Sequence, residues 1–330
     1  MNIVVTTGDC NGIGIEVLIK SLAAPHQHAH RARANISIAT NPDVFIEYAR
    51  RITAEVSVDS CDLVIGGQRY PLVHCHTPAQ VRLGREEDDA GALAYESLER
   101  AVAAWYEGTA DAIVTMPVSK TSLHRAGFSY PGQTEFFAAK AGAGNPLMML
   151  CHENIRVALA TIHEPLAAVP GLLTEEMLCG RIASLRFGLM QDFGCARPRI
   201  AVLGCNPHAG ENGHIGREEI DVIAPAVTRM RNMGMMVDGP FPADGFFAHG
   251  AYKEYDGILA MYHDQGLIPL KLLAQGAGVN VTAGLPLVRT SPDHGTAFAL
   301  AGKDMADARS TVEAIALAAE IVDNRHRKSV

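Results

Sequence analysis

A chain of 330 residues, 48% hydrophobic and 19% charged, has the composition of a compact folded protein and is long enough that two hydrophobic cores are expected rather than one. Its formal net charge of −8 excludes a general nucleic-acid role, because no cation excess is available to neutralise a run of phosphates. Seven cysteines with no C-x-x-C pair fit neither a disulfide framework nor a structural zinc module, and the lack of a leader-like start or a long apolar run predicts a cytoplasmic protein that does not enter a membrane.

The run from Ile3 to Thr7 reads as a strand, G-D-C-N-G-I-G as the turn after it, with a helix from about Glu16 and a second strand from Ile36 to Thr40. This is an α/β opening. Asn41-Pro42-Asp43 marks the next helix start, where the missing N–H of proline costs little. After a less regular stretch, a helix from Gly91 to Tyr106 leads through Glu107-Gly108 into the strand A-D-A-I-V-T-M-P. Gly127 to Gly144, rich in glycine and aromatic residues around P-G-Q-T-E-F-F, reads as a passage between domains. Strands near Leu147 to Cys151, Val157 to Thr161, Ile200 to Gly204 and Gly257 to Met261 follow, with helices that include Glu175 to Met190 and Glu218 to Met233. An Ala-rich amphipathic helix is expected over Asp304 to Ile321.

Three histidines each follow an apolar run: His163 after R-V-A-L-A-T-I, His208 after I-A-V-L-G-C-N-P and His263 after G-I-L-A-M-Y. Runs of this kind read as parallel strands, and ligands gather at the carboxyl ends of such strands, so the chain aims three imidazoles at one sheet edge. Three neutral imidazoles suit Zn²⁺ or another divalent transition metal and leave coordination positions open, as catalysis requires. Asp264 beside His263 could orient an imidazole, hold a substrate ammonium or serve as a base. Lys271, Asn280 and Arg289 lie amid apolar neighbours and together imply an anionic ligand, the guanidinium being suited to a forked grip on phosphate or carboxylate. The glycines at 8, 12 and 14 lack both the G-x-G-x-x-G spacing and a Walker lysine, so they read as a structural turn. Cys205 reads as a small buried thiol, His214 as a surface or supporting residue, and H-Q-H-A-H at 26 to 30, His74 and His76 as solvated or structural.

The segments T-M-P-V-S-K, P-G-Q-T-E-F, A-L-A-T-I-H-E-P-L, N-P-H-A-G-E, G-P-F-P-A-D, M-Y-H-D-Q-G and G-V-N-V-T-A-G-L-P-L-V-R-T-S-P-D-H-G-T-A-F occur in that order, behind T-T-G-D-C-N-G-I-G-I-E. Over nearly the whole chain they resemble the PdxA family of 4-hydroxythreonine-4-phosphate dehydrogenases. The resemblance implies two α/β/α domains similar to isocitrate and isopropylmalate dehydrogenases, residues 1–125 with about 285–330 forming the first and about 126–284 the second. It also implies an active site in the cleft and at the interface of a homodimer. NAD, or NADP, would bind without a Rossmann fingerprint, through a loop that includes Gly284, Leu285, Asp293, His294, Gly295 and Thr296. One divalent cation per site (Zn, Mg or Co) would be held by His163, His208 and His263, shared between subunits with His263 reaching across. Substrate contacts would fall on Gln133, Thr134, Lys271, Asn280 and Arg289, with Asp244, Asp264 and Lys120 as candidate proton acceptors.

The implied reaction is NAD-dependent oxidation of 4-phosphooxy-L-threonine to 2-amino-3-oxo-4-phosphooxybutanoate and decarboxylation to 3-amino-2-oxopropyl phosphate, in pyridoxal 5'-phosphate biosynthesis. Dehydrogenation of phosphorylated threonate or erythronate, or of a dihydrodiol, is the alternative within the group. A metal hydrolase or a phosphate or acyl transferase is the alternative from another class. One departure stands out: Gln133 replaces the histidine usual in the family, a neutral amide that donates and accepts but cannot titrate.

Overall fold

The computed structural model describes residues 1–23, 33–52, 54–144 and 146–328. It forms two compact units, Met1–Gly144 with Leu285–His326, and Asn145–Gly284 with Arg327–Val330. In chain order the first unit contributes β1 (Asn2–Thr6), α1 (Gly14–Ala23), β2 (Asn35–Thr40), α2 (Pro42–Ala49), β3 (Val56–Asp59), β4 (Asp62–Ile65), β5 (Gln68–His74), α3 (Asp88–Tyr106), β6 (Ala112–Val114), α4 (Lys120–Arg125) and α5 (Gln133–Lys140). The second unit contributes β7 (Leu147–His152), β8 (Ile155–Leu159), α6 (Val169–Leu172), α7 (Glu175–Gln191), β9 (Arg199–Leu203), α8 (Ala224–Asn232), β10 (Met236–Phe241), α9 (Ala243–Ala248), β11 (Gly257–Ala260), α10 (His263–Ala274) and β12 (Val279–Ala283). β13 (Val288–Pro292) and α11 (Arg309–Lys328) return to the first unit.

The sheet of the first unit runs β13-β6-β1-β2-β5-β4-β3. Its inner strands are parallel, with Val4 beside Ile113 on one side and Ser37 on the other. Strands covered on both faces need unbroken apolar runs, which is why I-V-V and A-I-V could be read directly. The expected start of α2 is also found, Asn41 Oδ1 accepting from the Asp43 N–H at 3.0 Å with Pro42 in the first turn. The ribbon β3-β4-β5 is antiparallel and was hidden in the stretch read as irregular, because β3 is largely exposed and carries no apolar run.

Residues 126–144, assigned from sequence to the second domain, cluster with the first unit. The cause is aromatic packing: Phe128 meets Tyr95, Tyr130 and Phe136 at centroid distances of 5.4 to 5.5 Å, and Phe136 and Phe137 are fully buried. Lys140 adds an ion pair to Glu99 on α3.

The sheet of the second unit runs β10-β9-β11-β8-β7-β12, parallel from β10 to β8 and antiparallel thereafter. Leu150, Val157, Leu159, Leu203, Ile258, Leu267 and Leu270 form its core. The helix expected over 218–233 opens instead with a π-turn at Glu219–Ile223 before α8. Pro225 has no N–H to give a carbonyl four residues back, so the turn ahead of it takes a wider register. The C-terminal helix begins later than expected, because the Asp307 carboxylate accepts from the Arg309 N–H at 3.0 Å and ends the preceding loop. Among the described residues no helix is long and apolar enough to cross a membrane. His26, His28 and His30 lie outside the described residues.

Candidate functional site

The second unit brings two of the three expected histidines together. β8 and β11 are parallel neighbours with Leu159 beside Ala260, and beyond their ends the Ala160 and Thr161 N–H groups donate to Ala260 and Met261. His163 lies four residues past Leu159 and His263 three past Ala260, so the register itself sets their rings 6.0 Å apart between centroids. His263 opens α10, and its Nδ1 meets Asp264 Oδ1 at 2.8 Å. With Nδ1 as donor, Nε2 carries the lone pair, the tautomer a metal ligand needs. Asp264, whose carboxylate is 72% exposed, is thus placed to orient the His263 ring.

His208 also follows a strand of that edge, β9, which neighbours β11 with Val202 beside Leu259. It sits in a left-handed stretch, Pro207–Gly213, where His208, Ala209, Glu211 and Asn212 all have positive φ. Such residues cost about 1–2 kcal/mol each and need an anchor. Glu219, buried to 3%, provides it: Oε1 accepts from the Cys205 and Asn206 N–H groups at 2.7 Å and Oε2 from Asn206 Nδ2 at 3.0 Å. Among the described residues no three His, Cys, Asp or Glu side chains are grouped closely enough to hold a metal ion; within one chain the His163 and His263 rings lie 6.0 Å apart between centroids. Burial, with Glu219 and Glu218 close by, pushes the Cys205 thiol up to about 11, which removes it as a nucleophile at neutral pH. His214 is exposed.

Sequence reasoning missed Glu219 and also Gln265, whose Oε1 accepts from the Met261 N–H at 2.7 Å and whose Nε2 donates to the Gly204 carbonyl at 2.6 Å. Together these fasten the start of α10 to the end of β9. Polar residues at strand exits were the available signal.

Of the remaining predicted residues in this unit, Asp244 is exposed in the first turn of α9, just past β10. Lys271 is exposed on the third turn of α10. Asn280 lies in β12 opposite Leu150, and its Oδ1 is buried without a hydrogen-bond partner. Gly284 follows β12 at φ +83°, a conformation that favours glycine.

In the first unit, Arg289 on β13 is only 4% exposed. Its Nε and Nη2 donate to Thr115 Oγ1 at 3.2 and 2.7 Å, Nη2 donates to Gln133 Oε1 at 3.2 Å, and the guanidinium lies 5.8 Å from the Phe137 ring centroid. Burial lowers its pKa to about 10, opposed by the charge of Glu135, so it remains a cation at neutral pH. Thr115, fully buried one residue past β6, is a partner of Arg289 that sequence reasoning did not single out. Thr134 follows Gln133 in the first turn of α5, and Lys120 is exposed at the first position of α4, whose cap Ser119 accepts from the Ser122 N–H at 3.2 Å.

The loop after β13 is pinned by the turn after β1. The Ile13 N–H donates to the Thr296 carbonyl at 2.9 Å, and a Cβ on Gly12 would stand 2.7 Å from that oxygen, so the early glycine motif serves close approach of two loops. Asp293 N–H donates to Ser310 Oγ at 2.9 Å, His294 Nε2 is buried without a partner, Gly295 is exposed, and the Leu285 side chain is buried while its carbonyl accepts from Arg325.

The sequence profile described as "Pyridoxal phosphate biosynthetic protein PdxA" matches residues 18–318. The chain belongs to the PdxA family. Within it, the chain is 41% identical over 328 residues to the 4-hydroxythreonine-4-phosphate dehydrogenase of Bacteroides thetaiotaomicron, covering 98% of this chain and 89% of that one. The crystal structure of 4-hydroxythreonine-4-phosphate dehydrogenase from Klebsiella pneumoniae matches with a TM-score of 0.83 at 37% identity, covering 97% of each chain. A terephthalate 1,2-cis-dihydrodiol dehydrogenase from Burkholderia xenovorans LB400 is more distant from this PdxA chain, with a TM-score of 0.63 at 27% identity over 97% of this chain and 98% of that one.

Proposed function

We propose that the chain is an NAD- or NADP-dependent 4-hydroxythreonine-4-phosphate dehydrogenase, oxidising 4-phosphooxy-L-threonine to 2-amino-3-oxo-4-phosphooxybutanoate, which loses CO₂ to give 3-amino-2-oxopropyl phosphate on the way to pyridoxal 5'-phosphate. The observation that carries this is the likeness, over 98% of the chain, to a dehydrogenase of that name. His163 and His263 fit a divalent cation (Zn, Mg or Co), since two imidazoles face each other and a carboxylate holds the tautomer of one. When bound, that cation would supply Lewis acidity at the substrate's reacting oxygen, and the nicotinamide would take the hydride.

The protein's own residues do the rest. Arg289, held from behind by Thr115 and Gln133, anchors the anionic end of the substrate and thereby orients the carbon to be oxidised. Lys271 and Thr134 add polar contacts, and the orphaned Asn280 Oδ1 offers an acceptor to a substrate N–H or O–H. With Asp264 engaged by His263, Asp244 and Lys120 are the candidates for the proton acceptor. The ketone places the carboxylate in the β position, so loss of CO₂ follows from the substrate's connectivity. The buried, unpartnered His294 Nε2 on the loop 293–296 suits a hydrogen bond to the dinucleotide.

The working form in this reading is a homodimer. Ile268 and Leu272, one turn apart on the helix that carries His263, are 56% and 72% exposed. A second copy covering that face would complete the set of His163, His208 and His263, with His263 reaching the partner's site, and two-fold symmetry would make two equivalent sites. The test is NADH formation at 340 nm with 4-phosphooxy-L-threonine, phosphorylated threonate and erythronate, and a dihydrodiol, with and without chelator. Turnover confined to one of the other substrates would move the assignment within the group. Ester hydrolysis or acyl transfer with no NADH from any of them would overturn it.

A further inference from the structure

Gln133 was expected to touch the substrate, yet both ends of its amide are engaged by the protein. Oε1 accepts from Arg289 Nη2 at 3.2 Å, and Nε2 donates to the Met116 carbonyl at 3.4 Å. Met116 is fully buried just past β6, the strand registered against β13 with Ile113 beside Arg289. The amide therefore spans from a fixed backbone oxygen to the guanidinium, tying the first residue of α5 to the paired ends of β6 and β13. We infer that Gln133 is a positioning residue whose amide holds the Arg289 guanidinium in the orientation that the substrate's anion requires, and holds it equally at every pH at which the enzyme works.

The argument is one of charge. A guanidinium as buried as Arg289 has lost its hydration and needs acceptors in place of water. Thr115 Oγ1 and Gln133 Oε1 accept without carrying charge, so they stabilise the cation without cancelling it. A carboxylate at position 133 would pair with Arg289 and compete with the substrate. An imidazole would accept only while neutral, and once protonated would set cation against cation. Around the guanidinium, Glu135 is the ionisable group on α5 whose charge reaches it, while the Phe137 ring is apolar. A glutamine reaches the same spot and does not titrate.

This inference rests on the reading of Arg289 as the anion grip, and the test separates the two. The full-length dimer would be titrated calorimetrically with 4-phosphooxy-L-threonine as wild type, Gln133→Met, Gln133→His and Arg289→Met, near pH 8 and near pH 5.5, with crystal structures of both Gln133 variants. Gln133→Met should weaken binding about tenfold at both pH values, as loss of one hydrogen bond to a charged group predicts, with Arg289 displaced from Thr115. Gln133→His should bind within about threefold of wild type near pH 8 and lose at least about fivefold more, relative to wild type, near pH 5.5, where an imidazole protonates. An unmoved Arg289 with unchanged affinity in Gln133→Met, or identical pH profiles for wild type and Gln133→His, would overturn the inference. If Arg289→Met binds as tightly as wild type while Gln133→Met displaces Arg289, the strut stands and the anion-grip reading falls.

Discussion

The two units present their chemistry in opposite ways. In the second, His163 and His208 are exposed on loops past the sheet edge and the His263 ring is 38% exposed. In the first, Arg289 is buried within a strand, its Nε and Nη2 donating to a hydroxyl and an amide. A guanidinium fixed in a core has little orienting entropy left to lose when an anion arrives. Exposed imidazoles are different: they gain their geometry from an ion and from whatever covers them. One unit carries a finished tool, and the other carries parts of one.

The sharpest way to break this comparison is His263→Ala. It should lose bound metal and lower turnover about a thousandfold or more, with little change in melting temperature because the ring is not part of the core. Metal analysis beside the NADH assay decides it, and full metal content at wild-type rate would end the metal reading.

Next comes subunit mixing. His163→Ala combined with His263→Ala should recover about a quarter of wild-type activity on full exchange, because with His263 reaching across, half the dimers are mixed and each has one intact site. His163→Ala combined with His208→Ala should recover nothing, since each mixed dimer would then carry one defect in each site. The reverse pattern would put His163 and His263 in one chain's site, where their rings lie 6.0 Å apart.

Arg289→Lys probes the finished tool. An ammonium cannot reproduce the forked contact, and KM for the substrate should rise between about tenfold and about a hundredfold with a smaller change in kcat. An equal loss in both parameters for NAD would place Arg289 elsewhere.

The smallest effect concerns Asp9 in the turn after β1, where burial raises the carboxyl pKa from 3.8 to about 6, with Glu86 adding to the rise. The native state therefore keeps this proton to higher pH than the unfolded state does. Stability contributed by Asp9 is present at acid pH and is lost as pH rises from about 4 through about 6. Asp9→Asn should raise the melting temperature at pH 8, by the equivalent of up to about 3 kcal/mol, and leave it nearly unchanged at pH 4. A difference that does not vary with pH would show that Asp9 ionises normally.

Much of this arrangement could be read from residues alone, and the reason lies in which signals are local. The strands before His163, His208 and His263 are short apolar runs ended by polar residues, so their type and their shared edge were legible. Which imidazoles would meet was not, because that depends on β8 lying beside β11, a pairing about a hundred residues apart in sequence. The same holds for Thr115, invisible as a partner of Arg289 until β6 and β13 are placed side by side. β3 and β12 carried weaker signals, one exposed and one interrupted by Asn280. Gln133 was legible as a departure, but its bond to Arg289 was not, since a sequence shows what a side chain can bond and not what already bonds it.

The pairing of β6 with β13 also sets an order of events during synthesis. The first unit is closed by residues 285–326, made after all six strands of the second unit have been synthesised. Until then β6 is an edge strand with its outer N–H and C=O groups open, and Thr115 faces no arginine. The second unit can fold on its own stretch of chain while the first waits for its final segment, and that delayed, long-range closure is the slow step expected of the whole polypeptide. The proposed grip on the substrate's anion is thus among the last things the growing chain completes, and a chain truncated before residue 289 would fold its histidine edge without Arg289.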